Sequence, residues 1–214
     1  MSLDHLVREP AGEPAGALIL NHGRGTSEHD LFPLLDLLDP ERRLVGVSPG
    51  APLTGIPPGG RHWYVVERVG HPDRETFAAS YSALTGLCDE VLAQRGLGWD
   101  RTVIGGFSMG AVMSYAVGLG PGRPTPAAIL AFSGFIPTVD GWEAELGRRE
   151  GLPVLIHHGR NDPVISVDFG RHANELLSAA GLAVDYLETD AAHALPPPAV
   201  ERATALVSRL LGPS

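Results

Sequence analysis

Residues 101–118 read R-T-V-I-G-G-F-S-M-G-A-V-M-S-Y-A-V-G. Thr102, Val103 and Ile104 form a short β-branched run that predicts a strand. Gly105 and Gly106 break it, and a helix-forming segment runs from Ala111 to Val117. Gly106 to Gly110 therefore spell G-x-S-x-G between an expected strand and an expected helix, with Ser108 at the apex. So tight a turn leaves no room for a Cβ at its flanking positions, which must be glycine. A helix starting behind Ser108 aims free backbone N–H groups, and the positive end of its dipole, at the same point. Ser108 is thereby a candidate nucleophile. The five-residue pattern alone is a weak signal, because a serine in a glycine-rich turn is common. Its context strengthens it, and the remaining chain must supply a base, an acid and a second oxyanion donor.

Upstream, Ser2 to Arg8 reads as a short edge strand. Ala17 to Leu20 is a continuous apolar run, as expected of a strand covered on both faces of a parallel sheet. It runs into Asn21-His22-Gly23-Arg24-Gly25-Thr26. Asp30 is placed to cap a helix from Leu31 to Leu38, and Leu44 to Val47 reads as another strand. Pro49 to Gly60 is a loop stiffened by Pro49, Pro52, Pro57 and Pro58. A long helix is expected over Arg74 to Gln94, with Phe77, Tyr81, Leu84, Cys88 and Val91 on one stripe. Cys88 is therefore read as core packing.

Downstream, Ala128 to Phe132 and Pro153 to His157 read as strands, separated by an irregular excursion too short for a cap of several helices. A helix over Asp168 to Ala179, with Asp168 as its cap, precedes a strand at Val184 to Leu187. The loop Thr189 to Pro198 holds His193, and a closing helix covers Val200 to Leu211. This alternation predicts an α/β fold: one domain over 1–214 with a mostly parallel central sheet flanked by helices.

Composition narrows the function. A net charge of −9, with no basic patch, argues against nucleic acid and anionic membrane surfaces as partners. No apolar run approaches the ~20 residues a membrane helix needs, so stable membrane insertion is not expected. A single cysteine and the absence of a recognisable signal peptide fit a reducing, cytoplasmic setting.

Asp162 follows one expected strand and His193 the next, so both join Ser108 at the carboxyl edge of the sheet. A serine hydroxyl is a poor nucleophile at neutral pH. A neutral imidazole can take its proton, and a carboxylate on the far ring nitrogen fixes the tautomer. The N–H of Met109 is one oxyanion donor, and the loop at Arg24 offers the second. This chemistry needs no cofactor. Asp140 is the rival acid, while Asp185 and Asp190 read as a strand-surface and a loop residue. No H-x-x-x-H pattern or cysteine cluster points to a metal. His157 and His158 are adjacent on a strand, so they face opposite sides and cannot share one ion. His22 is expected to order its own loop; His5, His29, His62, His71 and His172 are read as solvated or structural.

The assembled pieces are L-N-H-G-R-G at 20–25, G-G-R-H-W-Y at 59–64, G-G-F-S-M-G at 105–110, H-G-R-N-D-P at 158–163 and the His193 loop. In that order, over most of the chain, the sequence resembles the phospholipase/carboxylesterase family of α/β-hydrolases, which includes acyl-protein-thioesterase-like enzymes. The resemblance implies a capless hydrolase of small carboxylic esters or thioesters, with Ser108, His193 and Asp162 as triad. It implies the N–H groups of Arg24 and Met109 as oxyanion hole. Independently of it, a monomer or homodimer is expected. Family members commonly carry Gln where Met109 stands and Leu where Arg24 stands, so substrate preference does not transfer. Dienelactone hydrolases share the fold but typically use Cys at the elbow. A binding protein that keeps the fold without turnover is the reading from another class. The apolar walls expected around the serine are Leu53, Trp63, Met109, Phe135, Ile136, Ile165 and Leu195. Few walls and no lid predict an open, shallow cleft suited to short and medium acyl groups.

Overall fold

In the computed structural model, which describes residues 3–55 and 59–211, the apolar runs become one seven-stranded sheet. Its strands are β1 (His5–Arg8), β2 (Gly16–Asn21), β3 (Leu44–Pro49), β4 (Thr102–Phe107), β5 (Ala128–Phe132), β6 (Pro153–Gly159) and β7 (Ala183–Thr189). They lie in the order β1-β3-β2-β4-β5-β6-β7. Only β1 is antiparallel, pairing with β3 as His5 opposite Pro49 through Arg8 opposite Gly46. The other neighbours are parallel. Strands β2, β3 and β5 are buried along their whole length, as continuous apolar strands between two helical layers must be. Ser2 of the expected edge strand, and Pro57 and Pro58 of the expected stiff loop, lie outside the described residues.

The helices are α1 (Leu34–Leu38), α2 (Arg74–Gln94), α3 (Met109–Leu119), α4 (Val167–Ala179) and α5 (Pro197–Leu211). The Asp73 carboxylate accepts from the Thr76 N–H at 2.9 Å and caps α2, which ends before Gly96 at φ +64. Every residue of α3 is buried, which is why this helix is apolar all round rather than on one stripe. Residues from α2, α3 and α4 join one core cluster with Ile19, Val47, Ile104, Ile129 and Ile156. Leu34, Leu35 and Leu38 of α1 and the buried face of α5 join Leu18, Leu20, Val103 and Leu155 in the other. The two helical layers therefore cover opposite sheet faces, reached by the alternating side chains of each strand.

Two helix starts differ from expectation. Asp30 does not cap α1: residues 27–32 form turns, and Pro33, already at φ −64 and ψ −25, opens the helix three residues later than expected. Asp168 is not the cap of α4 either. Ser166 is, its hydroxyl accepting from the Asp168 N–H at 3.3 Å, while Asp168 sits in the first turn and pairs with Arg171.

The chain moves from β2 outward to β3, then back across β2 to β4. The loops after β2 and β4 therefore leave neighbouring strands side by side at the carboxyl edge of the sheet. Three histidines are buried near this edge: His22 after β2, and His157 and His158 on β6. Burial lowers the affinity of all three for a proton, pushing His157 down to about 4. In the unfolded chain a histidine titrates at about 6.5. Between those two values the unfolded chain binds more protons, so the native state loses stability as pH falls from about 6.5 to about 4. The melting temperature is expected to drop across that window, and His157→Gln to remove roughly 5 °C of the drop. Thermal scans of both proteins at matched ionic strength measure it; parallel pH profiles would refute it.

Candidate active site

Ser108 sits at the N-cap of α3 with φ 55 and ψ −120, a conformation that side-chain-bearing residues rarely adopt. The glycines around it show why the turn closes. A Cβ on Gly110 would lie 1.9 Å from the Asn21 carbonyl oxygen, and one on Gly106 would lie 2.6 Å from that oxygen and from the Gly110 carbonyl. The Ser108 N–H donates to the Phe132 carbonyl at 2.8 Å, which ties the elbow to the end of β5. The loop after β2 runs against the serine: a Cβ on Gly23 would stand 3.6 Å from Ser108 Cβ. His22 holds that loop. Its Nδ1 lies 2.7 Å from the Gly23 carbonyl, and its Nε2 accepts from the Ala51 N–H at 3.0 Å. Burial lowers its proton affinity, so it orders the loop as a neutral ring.

The Asp162 and His193 loops continue the pairing of β6 with β7. The Arg160 N–H donates to the Thr189 carbonyl at 2.7 Å, and the Asn161 N–H to the Ala191 carbonyl at 3.1 Å. The Asp162 side chain is fully buried. Its Oδ1 accepts from the N–H groups of Val164 at 2.8 Å and Ile165 at 2.9 Å. Its Oδ2 accepts from His193 Nδ1 at 2.7 Å. Burial pushes this carboxyl up, but the His193 bond and the two backbone donors outweigh it and hold Asp162 below the ordinary carboxylate range. With Nδ1–H committed to Asp162, the His193 Nε2 is an acceptor, and Ser108 Oγ donates to it at 2.9 Å. Ser108, His193 and Asp162 are thus one continuous hydrogen-bonded chain.

Phe107 carries no motif of its own in the sequence, yet its ring centroid lies 4.7 Å from that of His193 and its ring packs against that imidazole. Its position directly before the candidate nucleophile was the available signal. Met109 is the first residue of α3, where a backbone N–H has no intrahelical acceptor. Arg24 is exposed on the loop beside the serine. Asp140 is exposed and borders an outer hollow, separate from His193. Cys88 is buried in α2, where burial pushes its thiol up to about 12, consistent with packing rather than reactivity. His62 is buried rather than solvated.

The expected apolar walls need correction. Trp63 is fully buried; its indole N–H donates to the His22 carbonyl at 2.9 Å, so the ring braces the loop from behind and presents no surface to a substrate. Met109 is also turned inward, with its sulfur accepting from the Trp63 N–H at 3.2 Å. Leu53 pairs opposite His62 and borders a hollow of about 850 Å³ above α2. Phe135 and Ile136 border a second hollow of about 1150 Å³, between the 137–146 excursion and α4. Neither hollow is lined by Ser108, Asp162 or His193. Ile165 is buried beneath the acid turn, and Leu195 is half-buried against the α1 and α5 layer. Among the described residues, no helix is long and apolar enough to cross a membrane.

The chain is similar to known proteins over most of its length. The chain is 29% identical over 191 residues to acyl-protein thioesterase 1 of Debaryomyces hansenii, which covers 82% of each chain. It is 30% identical over 208 residues to esterase YpfH of Escherichia coli, covering 91% of this chain and 83% of that protein. Among solved structures, esterase PE8 superposes with a TM-score of 0.83 at 26% identity, covering 98% of this chain and 100% of the other. The pattern that defines the phospholipase/carboxylesterase family matches residues 4–210. A match that takes in every strand of the sheet, together with the elbow and the two loops after β6 and β7, means that the chain belongs to the phospholipase/carboxylesterase family and has its capless α/β-hydrolase fold.

Proposed function

We propose that this protein hydrolyses carboxylic esters of short to medium acyl groups through an acyl-enzyme on Ser108. The observation that carries the reading is the unbroken chain from Ser108 Oγ through His193 to Asp162, at 2.9 Å and 2.7 Å. In the first step Ser108 Oγ attacks the ester carbonyl and its proton passes to His193 Nε2. The Asp162 carboxylate, held ionised, stabilises the imidazolium. The N–H groups of Met109 and Arg24 receive the developing oxyanion, where each donor is typically worth ~10²–10³ in turnover. Collapse expels the alcohol, which takes the proton from His193. Water then repeats the sequence on the acyl-enzyme, releasing the acid and restoring Ser108. The D. hansenii relative is named a thioesterase, so a thiol leaving group is the second substrate class to test. The family match over 4–210 supports reading the chain as one domain.

Ser108→Ala is expected to lower kcat/KM by about 10⁴-fold or more with the melting temperature unchanged. A fluorophosphonate is expected to label Ser108 and leave Cys88 untouched, as mass spectrometry of the digested protein can read. An alanine variant with full activity would remove the serine from the chemistry.

Asp162→Asn is expected to cost far more activity than Asp140→Asn, on the order of 10²-fold or more in kcat, because an amide cannot hold the imidazolium. Steady-state kinetics on a chromogenic ester ranks the two. The reverse ranking would move the acid to Asp140.

With no wall of the two hollows reaching the triad, a short acyl chain gains about 0.8 kcal/mol per buried CH₂ and then runs out of surface. Specificity constants on a p-nitrophenyl ester series are expected to rise over the first few acyl carbons and then level or fall. No jump in rate is expected as substrate passes its solubility limit. Gains continuing to long chains, with such a jump, would contradict an open cleft.

A further inference from the structure

The two histidines at the end of β6 take no part in the steps above, yet both are fully buried and both hold the loops that do. His158 faces α4. Its Nε2 lies 2.9 Å from the Ile165 carbonyl oxygen, and since a carbonyl only accepts, this nitrogen carries the proton and donates. Ile165 closes the acid turn, its own N–H donating to Asp162 Oδ1 at 2.9 Å. The same His158 nitrogen stands 3.6 Å from Asp162 Oδ2, too long for a hydrogen bond but directly beneath the carboxylate. Helix α4 presses on the ring through Gly170, where a Cβ would lie 2.8 Å from His158 Nδ1. His157 faces the other way. Its Nε2 is 3.0 Å from Thr189 Oγ1, and that hydroxyl accepts from the Ala191 N–H at 3.4 Å. Thr189 ends β7, and Ala191 lies in the loop that delivers His193.

We propose that His157 and His158 are positioning residues for the acid–base couple. His158 sets the turn that presents Asp162, and His157, through Thr189, sets the loop that presents His193. The proposal rests on the triad reading of the preceding subsection. An apolar pair would fill the same space without leaving two buried nitrogens unpaired, as Nδ1 of each ring is here. Each ring instead makes one directed bond to the segment carrying one member of the couple. The charged or titratable groups near enough to act on His158 are Asp162, His193 and Glu188; those acting on His157, from across the strand, are His158 and Asp162. Burial keeps both rings neutral near neutral pH, so they act by hydrogen bonding and not by charge.

The test compares His158→Leu, His158→Gln and Thr189→Val in the full chain, with Ser108→Ala as control. Melting temperature and circular dichroism report folding. Leucine cannot donate to Ile165, whereas the glutamine amide can. His158→Leu is expected to lose on the order of 10- to 100-fold in kcat with KM little changed. Its acid limb of kcat/KM should move to lower pH, because an Asp162 that drifts from His193 stabilises the imidazolium less. His158→Gln should recover most of the rate and return the limb. Thr189→Val should change kcat and the limb in the same direction as His158→Leu. A folded His158→Leu with the parent kcat and limb overturns the proposal, as does an equal loss in Leu and Gln with the limb unmoved. If His158→Leu does not fold, Thr189→Val decides, and an unaltered limb and kcat there overturn it. An active Ser108→Ala would instead bring down the triad reading itself.

Discussion

The structure depends on one close approach of backbone to backbone. The start of α3 rests on the end of β2 so tightly that a Cβ on Gly110 would come within 1.9 Å of the Asn21 carbonyl oxygen. Nothing but a hydrogen fits there. This contact drives the chain into the sharp turn at Ser108 and holds its φ at 55. Strain of that kind, typically 1–3 kcal/mol, persists only where surrounding structure over-determines it. Here the surrounding structure is the buried α3, the β4–β5 ladder and the Ser108 N–H bond to Phe132. The same approach brings the His22–Gly25 loop against the serine, so the elbow and its neighbouring loop are set by a single contact.

The opposite side of the site is built differently. Asp162 and His193 stand on adjacent loops whose backbones keep bonding after β6 and β7 end. Gly159 makes this possible, since a Cβ there would lie 2.3 Å from the Ala192 carbonyl oxygen. Asp162 and His193 are therefore fixed relative to each other by strand pairing, while Ser108 is fixed by helix–strand packing. The two devices meet through the β5–β6 pairing, the Nε2-to-Oγ bond and the Phe107 ring against His193.

Much of this was legible in the residues. The inner strands are legible as apolar and β-branched runs because both sheet faces are covered there, and the stripe and flanking signals predict α2 over the range it takes, Arg74–Gln94. The order Ser108, Asp162, His193 was legible because each follows a strand, and parallel strands point their ends one way. What was not legible depended on direction within a loop. Trp63 looks like a wall in sequence, since a large aromatic in a strand-end loop commonly lines a cleft. Only the structure shows its indole bonded to the His22 carbonyl from behind. Met109 is likewise turned inward by the Trp63 N–H. Caps failed for a similar reason. Asp30 and Asp168 are good capping residues, but Pro33 and Ser166 stood at the positions where the backbone entered helical geometry.

The electrostatics of the carboxyl edge follow from who supplies hydrogen bonds to whom. Asp162 and three histidines are all removed from water there, and desolvation penalises the charged form of each. Asp162 nonetheless stays ionised, because two backbone N–H groups and His193 donate to it. His22 and His158 meet carbonyl oxygens, and His157 a hydroxyl. A carbonyl can be satisfied by the proton a neutral imidazole already has, and the nearby carboxylates do not outweigh the desolvation cost of a second one. The site thus holds one fixed negative charge amid neutral rings. That carboxylate is bonded to the Nδ1 side of the His193 ring, whose opposite nitrogen meets the Ser108 hydroxyl at 2.9 Å.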